Sequence, residues 1–205
     1  MSESKNIFEK LNMEGAECWY CENFFDYHEV WYEMIDNSVE WQQFMVMVYG
    51  KLIEQPRDSF YMADDQHPYK YSGIDRKPEQ WVVSVIEMKK ILEKAIHNIK
   101  PDHPHLNACL GNRYRNGKQN IGAHSDNESD LAYGAFIVSV SLGVARDFIF
   151  THNKTGQKIN IVLQPGSVLL MGGECQKNWK HELPKRLRVK DPRINLTFRS
   201  ILKRN

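Results

Sequence analysis

The sequence is short of several things, and each shortage narrows the field. No apolar run approaches the roughly 18 residues of a membrane-spanning helix, so none is expected. The opening stretch, MSESKNIFEK, lacks the apolar segment of a secretory leader. An intracellular location is therefore expected, with nucleus and cytoplasm not distinguished. Cysteines number four, and Cys18 and Cys21 form a CxxC with no second pair at zinc-ribbon spacing. Ordinary reduced thiols are the expectation in that compartment. Charge of either sign is not in excess: 27 Lys and Arg face 26 Asp and Glu, for a formal net charge of +1. Such a balance does not decide about nucleic acid, because a phosphate backbone is met by a local basic face. Neither an internal repeat nor a low-complexity linker is present.

What is there amounts to one core. At 205 residues, 41% of them hydrophobic, the chain suits a single globular domain and is short for two. Asn23 through Gln43 carries Phe24, Phe25, Val30, Trp31, Met34 and Ile35 near helical spacing, which predicts one helix. Phe44 to Tyr49 reads as a short strand broken by Gly50, and Gln55 to Gly73 as proline-punctuated loops around short strands. A second helix is predicted from near Pro78 to before Pro101, with Trp81, Val82, Val85, Ile86, Leu92, Ile96 and Ile99 on one face. Six strand-like runs follow: Asn107–Tyr114, Ala135–Leu142, Arg146–Thr151, Lys158–Leu163, Ser167–Met171 and Ile194–Ile201. Closely spaced strands after helices predict an antiparallel double sheet of the jelly-roll kind, buttressed by the helices.

The chemistry gathers in the strand-rich half. In an extended segment His124 and Asp126 point to one face, so an imidazole and a carboxylate can reach the same metal. His181, on a strand-like run after Gly172-Gly173, can complete a two-histidine, one-carboxylate set suited to Fe(II) with open positions. HxD alone is a weak signal. In RINLTFR, alternate residues Arg193, Asn195, Thr197 and Arg199 share a face if the run is a strand. Facing inward they would need an anion, and a dicarboxylate held by two arginines would serve. A solvent-facing edge strand is the competing reading of that run. The basic stretch Lys177, Lys180, Lys185, Arg186, Arg188, Lys190 and Arg193 reads first as a solvated face.

RINLTFR resembles the RxNxTxR signature of the AlkB family of Fe(II)- and 2-oxoglutarate-dependent dioxygenases, and GNRYRNGKQNIGAHSDNES resembles that family's N-x-Y…H-x-D segment. The match is ordered over Asn112 to Arg199, with weaker similarity back to about Val48. The resemblance implies an α+β fold with a double-stranded β-helix core over about 106–202, N-terminal helices and a nucleotide-recognition lid over about 44–75, all in one domain. It implies that His124, Asp126 and His181 bind iron. Asn112, Tyr114 and Arg193 would hold the distal carboxylate of 2-oxoglutarate. Arg199, with Asn195, would hold its chelating end, and Thr197 would line the pocket. Asn112 and Tyr114, two apart, do offer neutral donors on one face. With O2 as the third reactant, the implied activity is direct reversal of base alkylation, 1-methyladenine and 3-methylcytosine being the implied lesions.

Within the family the chain looks most like the branch acting on duplex DNA, and a monomer is expected. Val48-Tyr49-Gly50-Lys51 resembles a wedge hairpin whose aromatic tip fills the gap left by a flipped base. Without the resemblance, that segment reads as a core strand entering a turn. Tyr69 and Tyr71 resemble the segment that stacks on the flipped base, with Tyr71 expected opposite the ring of His124, and Pro56-Arg57 resembles a contact to the opposite strand. Glu128 matches the acid that contacts the exocyclic amino group, and Asn127 stands where the duplex branch often has aspartate. The alternatives are an AlkB-type enzyme acting on RNA or protein, or a catalytically silent nucleic-acid-binding module. The intact triad and paired arginines weigh against the silent module.

Overall fold

The computed structural model describes residues 7–48, 50–64, 69–71, 74–126 and 130–202. The first elements are β1 (Glu9–Lys10), β2 (Ala16–Cys21), α1 (His28–Ser38), β3 (Gln42–Val48) and β4 (Lys51–Ala63). Next come β5 (Tyr69–Tyr71), β6 (Ile74–Arg76), α2 (Val83–Ile99), β7 (Ala108–Tyr114) and β8 (Ile121–His124). The chain ends with β9 (Ile137–Gly143), β10 (Arg146–His152), β11 (Lys158–Leu163), β12 (Val168–Gly173), α3 (Cys175–Asn178), β13 (Trp179–Leu183) and β14 (Arg193–Arg199).

The strands form an eight-stranded sheet ordered β1-β2-β12-β9-β14-β7-β4-β3 and a four-stranded sheet ordered β11-β10-β13-β8, all antiparallel. β5 and β6 pair separately. The large sheet is covered on both faces because its central strands alternate two kinds of inward residue. Ile194, Leu196 and Phe198 of β14 join Val85, Met88, Leu92 and Ile96 of α2 in one apolar core. Tyr114, Ile137, Leu169 and Met171 face the other way and meet Phe148, Phe150 and Trp179 of the small sheet. Each buried aliphatic on α2 contributes about 1.5–3 kcal/mol by leaving water. The space between the sheets holds the polar residues.

The helices are shorter than the sequence predicts. α1 begins only at His28, after Tyr27 at φ 53, and ends at Ser38, where Val39 turns extended. Residues 42 and 43, placed in that helix by their spacing, belong to β3. α2 starts at Val83 rather than near Pro78, because Glu79 pairs with Met62 of β4 and holds the preceding segment extended. The segment expected as loops contains one thirteen-residue strand, β4. Pro56 is accommodated by an irregularity: Gln43 opposes Asp58 while Met45 opposes Glu54, leaving extra β4 residues between. Gly111 is required where β4 crosses β7, since a Cβ there would stand 2.1 Å from the Phe60 ring. All four cysteines are free and buried. No helix among the described residues is long and apolar enough to cross a membrane.

Candidate metal and cosubstrate site

β8 delivers His124 and β13 delivers His181 as directly paired residues of the small sheet, with ring centroids 4.3 Å apart. Asp126 follows β8 and is pinned by its backbone N–H donating to Gln176 Oε1 at 2.9 Å, while Ser125 Oγ donates to the Trp179 carbonyl at 2.9 Å. One ligand atom from each of His124, Asp126 and His181 lies within 4.8 Å of the others. The Nε2 atoms of His124 and His181 stand 3.5 and 4.0 Å from Asp126 Oδ1. His124 Nδ1 bonds the Gly122 carbonyl at 2.8 Å. A carbonyl only accepts, so Nδ1 carries a proton there, and Nε2 is the atom turned to the triad's centre. Burial pushes the His181 imidazole down to about 4, which keeps it neutral and able to ligate near pH 7. Burial opposes the charge on Asp126, yet Arg199 and the two imidazoles outweigh it and hold the carboxyl below its ordinary value. Phe148 stacks on His181 at 5.2 Å and restrains the ring.

β14 places Arg193, Asn195, Thr197 and Arg199 on the face opposite its apolar residues, in the same cavity as the triad. That cavity is about 550 Å³ including its mouth and is also lined by Asn112 and Tyr114 of β7, a size that suits a small ligand. The arginines differ. Arg199 Nη2 donates to Asp126 Oδ2 at 2.9 Å. Arg193 is 2% exposed, donates from Nη2 to Ser141 Oγ at 2.9 Å, and has no acidic partner among the described residues. Desolvation lowers it to about 10, so it keeps its charge at neutral pH. Arg146, equally buried, donates to the carbonyls of Gln119 and Pro184, and both guanidinium groups lie over the Tyr114 ring, at 6.0 and 5.6 Å. Asn195 ties β14 to β9 by donating to Ser139 Oγ at 2.9 Å and the Val140 carbonyl at 3.0 Å, and its Oδ1 accepts from Thr197.

Two residues are placed differently from what the sequence suggests. Arg193 is not part of a solvated basic face, because the inward alternation of β14 takes it into the cavity. Arg57, expected to contact an opposite nucleic-acid strand, is 5% exposed and lines the same cavity, with Nε on Asn112 Oδ1 at 2.7 Å. The irregular register around Pro56 turns it inward. Lys51 is exposed at the start of β4. Tyr69 and Tyr71 lie on β5, where only the backbone is described, so the stacking expected of Tyr71 on His124 falls outside the described residues. Tyr49, Asn127 and Glu128 also lie outside them. Ser139, Ser141 and Arg146 were not singled out from sequence. Serines alternating inside the apolar run Ile137–Gly143 were the available signal.

A family model described as the 2OG-Fe(II) oxygenase superfamily matches residues 18–199. The mouse DNA oxidative demethylase ALKBH2 is 37% identical over 166 residues, which is 77% of this chain and 66% of that protein. The human DNA oxidative demethylase ALKBH2 is 33% identical over 206 residues, covering 94% of this chain and 76% of that protein. Among solved structures, that of OsALKBH1 superposes with a TM-score of 0.65 at 17% identity, covering 94% of this chain and 99% of that one, a likeness of fold.

Proposed function

The chain belongs to the 2OG-Fe(II) oxygenase superfamily, among its AlkB-type members, and from that premise we propose that it oxidatively removes alkyl groups from nucleic-acid bases. The carrying observation is the cavity's polarity. A triad of two imidazoles and a carboxylate stands beside an arginine that already has an acidic partner, and a buried arginine without one among the described residues lies farther along the same strand. A buried cation with no acid is costly unless an anion meets it in use. 2-Oxoglutarate fits this arrangement: its keto acid end would lie near the triad and Arg199, its distal carboxylate at Arg193, Tyr114 and Asn112.

His124 Nε2, His181 Nε2 and Asp126 Oδ1 would hold Fe(II). When bound, the metal with 2-oxoglutarate and O2 supplies oxidation of the N-alkyl carbon, and for a methyl lesion the products are formaldehyde, succinate, carbon dioxide and the unmodified base. The protein's residues orient these reactants. Gly122 fixes the His124 tautomer, Phe148 fixes the His181 ring, and the apolar walls Leu110, Ile121, Met171 and Leu183 limit water.

The lesions we assign are 1-methyladenine and 3-methylcytosine in DNA, handled by a single domain in which residues about 44–75 would serve as a nucleotide-recognition lid, acting as a monomer. Duplex substrate is favoured by the β3–β4 hairpin. Met45, Met47, Leu52 and Ile53 are all exposed there, while Val46 is buried, and the exposed set supports the wedge reading over that of a core strand entering a turn. Apolar side chains presented this way suit a wedge that offsets the few kcal/mol of unstacking, with Tyr49 between the arms in sequence. Tyr69, Tyr71, Asn127 and Glu128 are assigned to the flipped base and Lys51 to the duplex. Turnover on matched oligonucleotides carrying each lesion, single- and double-stranded, with RNA and methylated peptide as controls, tests the reading. We expect formaldehyde release that is fastest on duplex DNA. Turnover confined to RNA or peptide would transfer the activity to another substrate class, and binding without turnover would reduce the chain to a nucleic-acid-binding module.

A further inference from the structure

The inner side of β4 carries a buried polar row that the triad and the β14 arginines do not explain. Gln55, Arg57 and Ser59 alternate along the strand and all three are buried. Ser59 pairs directly with Asn112 of β7, which in turn pairs with Asn195 of β14. Gln55 Nε2 donates to Ser59 Oγ at 2.8 Å, so the Ser59 hydroxyl keeps its proton for Asn112 Oδ1, at 2.9 Å. Arg57 Nε donates to the same oxygen at 2.7 Å. A guanidinium has donors only, so the Asn112 atom facing it must be the carbonyl oxygen. With both lone-pair directions of Oδ1 taken, Asn112 turns its NH2 away from β4. That NH2 makes no hydrogen bond among the described residues, and Asn112 lines the cavity.

We propose that Arg57 and Ser59 are positioning residues for the cosubstrate: they lock the Asn112 amide so that it donates to the distal carboxylate of 2-oxoglutarate. The inference rests on the 2-oxoglutarate reading above. It reassigns Arg57 from nucleic acid to the cavity wall, and it makes the strand that leaves the hairpin at Lys51 also a wall of the cosubstrate pocket. The irregular register at Pro56 is what permits this, since bulges re-aim side chains beside active sites.

The test is calorimetric titration of 2-oxoglutarate into the Mn(II)-loaded protein, for wild type, Arg57→Met, Arg57→Lys, Ser59→Ala and Arg193→Met. DNA affinity is measured in parallel across a salt series. Arg57→Met is expected to weaken 2-oxoglutarate about tenfold or more and Ser59→Ala about threefold, with Arg57→Lys between wild type and Met, as for hydrogen bonds reaching a charged ligand. KM for 2-oxoglutarate should rise while kcat at saturation stays within a few-fold of wild type, and the DNA salt slope should not move. Unchanged 2-oxoglutarate affinity in both Arg57→Met and Ser59→Ala, with Arg193→Met impaired, overturns this inference alone. A shallower DNA salt slope in Arg57→Met with normal cosubstrate binding returns Arg57 to the nucleic acid. If Arg193→Met also binds normally, the pocket assignment itself fails. Should Arg57→Met not fold, Ser59→Ala carries the same test through the same oxygen.

Discussion

The two ends of β14 carry the same residue type in opposite electrostatic settings. At one end Arg199 is bonded to Asp126, which two imidazoles also face. At the other, Arg193 has a serine hydroxyl for company and a second buried guanidinium, Arg146, over the same Tyr114 ring. The Arg199 end is balanced by the protein itself. Among the described residues no acid balances the Arg193 end, so on the proposed 2-oxoglutarate reading the differential attraction for a dianion is concentrated there. A symmetrical pocket would bind a dicarboxylate in either direction, and the asymmetry supplies a polarity.

The largest effect comes from destroying the balanced end. Asp126→Ala, His124→Ala and His181→Ala should each lose essentially all demethylation and most bound metal, because two ligands cannot hold Fe(II) in a usable geometry. Metal content after dialysis, read beside formaldehyde release, checks this, and any variant with wild-type turnover removes that residue from the ligand set. Next is the unbalanced end. Arg193→Met should weaken 2-oxoglutarate by about 30- to several thousand-fold, the range for losing one partner of a buried charge pair, about 2–5 kcal/mol. Calorimetry on the Mn(II)-loaded protein measures it.

The same two arginines should then diverge in ligand-free stability. Arg199→Met strips a partner from buried Asp126 and should cost about 3 kcal/mol, some 6–12 °C of melting temperature in a chain of this size. Arg193→Met removes a buried charge that has no acid among the described residues, so it should leave the melting temperature unchanged or raise it. Equal destabilisation by both changes would mean that Arg193 is balanced within the protein, and the comparison would collapse.

How much of this was legible in the sequence follows the same division. The triad and β14 could be read because period-two alternation writes both faces of a strand into the residue order, and Arg193, Asn195, Thr197 and Arg199 interleave with Ile194, Leu196 and Phe198. β4 could not. Its Pro56 and its polar Gln55, Arg57, Asp58 and Ser59 look like loop, and only tertiary partners show why those four polar residues are buried. Asp58, for example, is matched by Arg113 and Arg115 across the sheet. Helix starts failed for a related reason, since the bridge between Glu79 and Met62 overrides what Pro78 favours locally. Arg57 was assigned by motif likeness, which carries no register, and the irregularity at Pro56 is a matter of register.

The smallest effect is one that acid should produce at one end alone. Arg193, lowered to about 10, stays charged throughout the acid range and cannot respond. At the Arg199 end, burial holds the folded-state value of His181 near 4, below the ordinary 6.5 that it regains on unfolding. Between those values the unfolded chain binds the extra proton, so the stability of the metal-free protein falls as pH drops from about 6.5 toward 4. The shift corresponds to about 3 kcal/mol as an upper bound, since relaxation and water entry would reduce it. Below that window the loss continues through Asp126. Its folded-state value lies below that of a free carboxyl, so its contribution is present above the unfolded value and is lost as it protonates. Denaturant midpoints taken from pH 7 to 4 on metal-free wild type and on His181→Gln separate the contributions. The glutamine variant cannot take up the histidine proton and should show a flatter profile above pH 4. If both profiles coincide, His181 is not the buried neutral group at this end, and its readiness to bind a metal at neutral pH loses its physical basis.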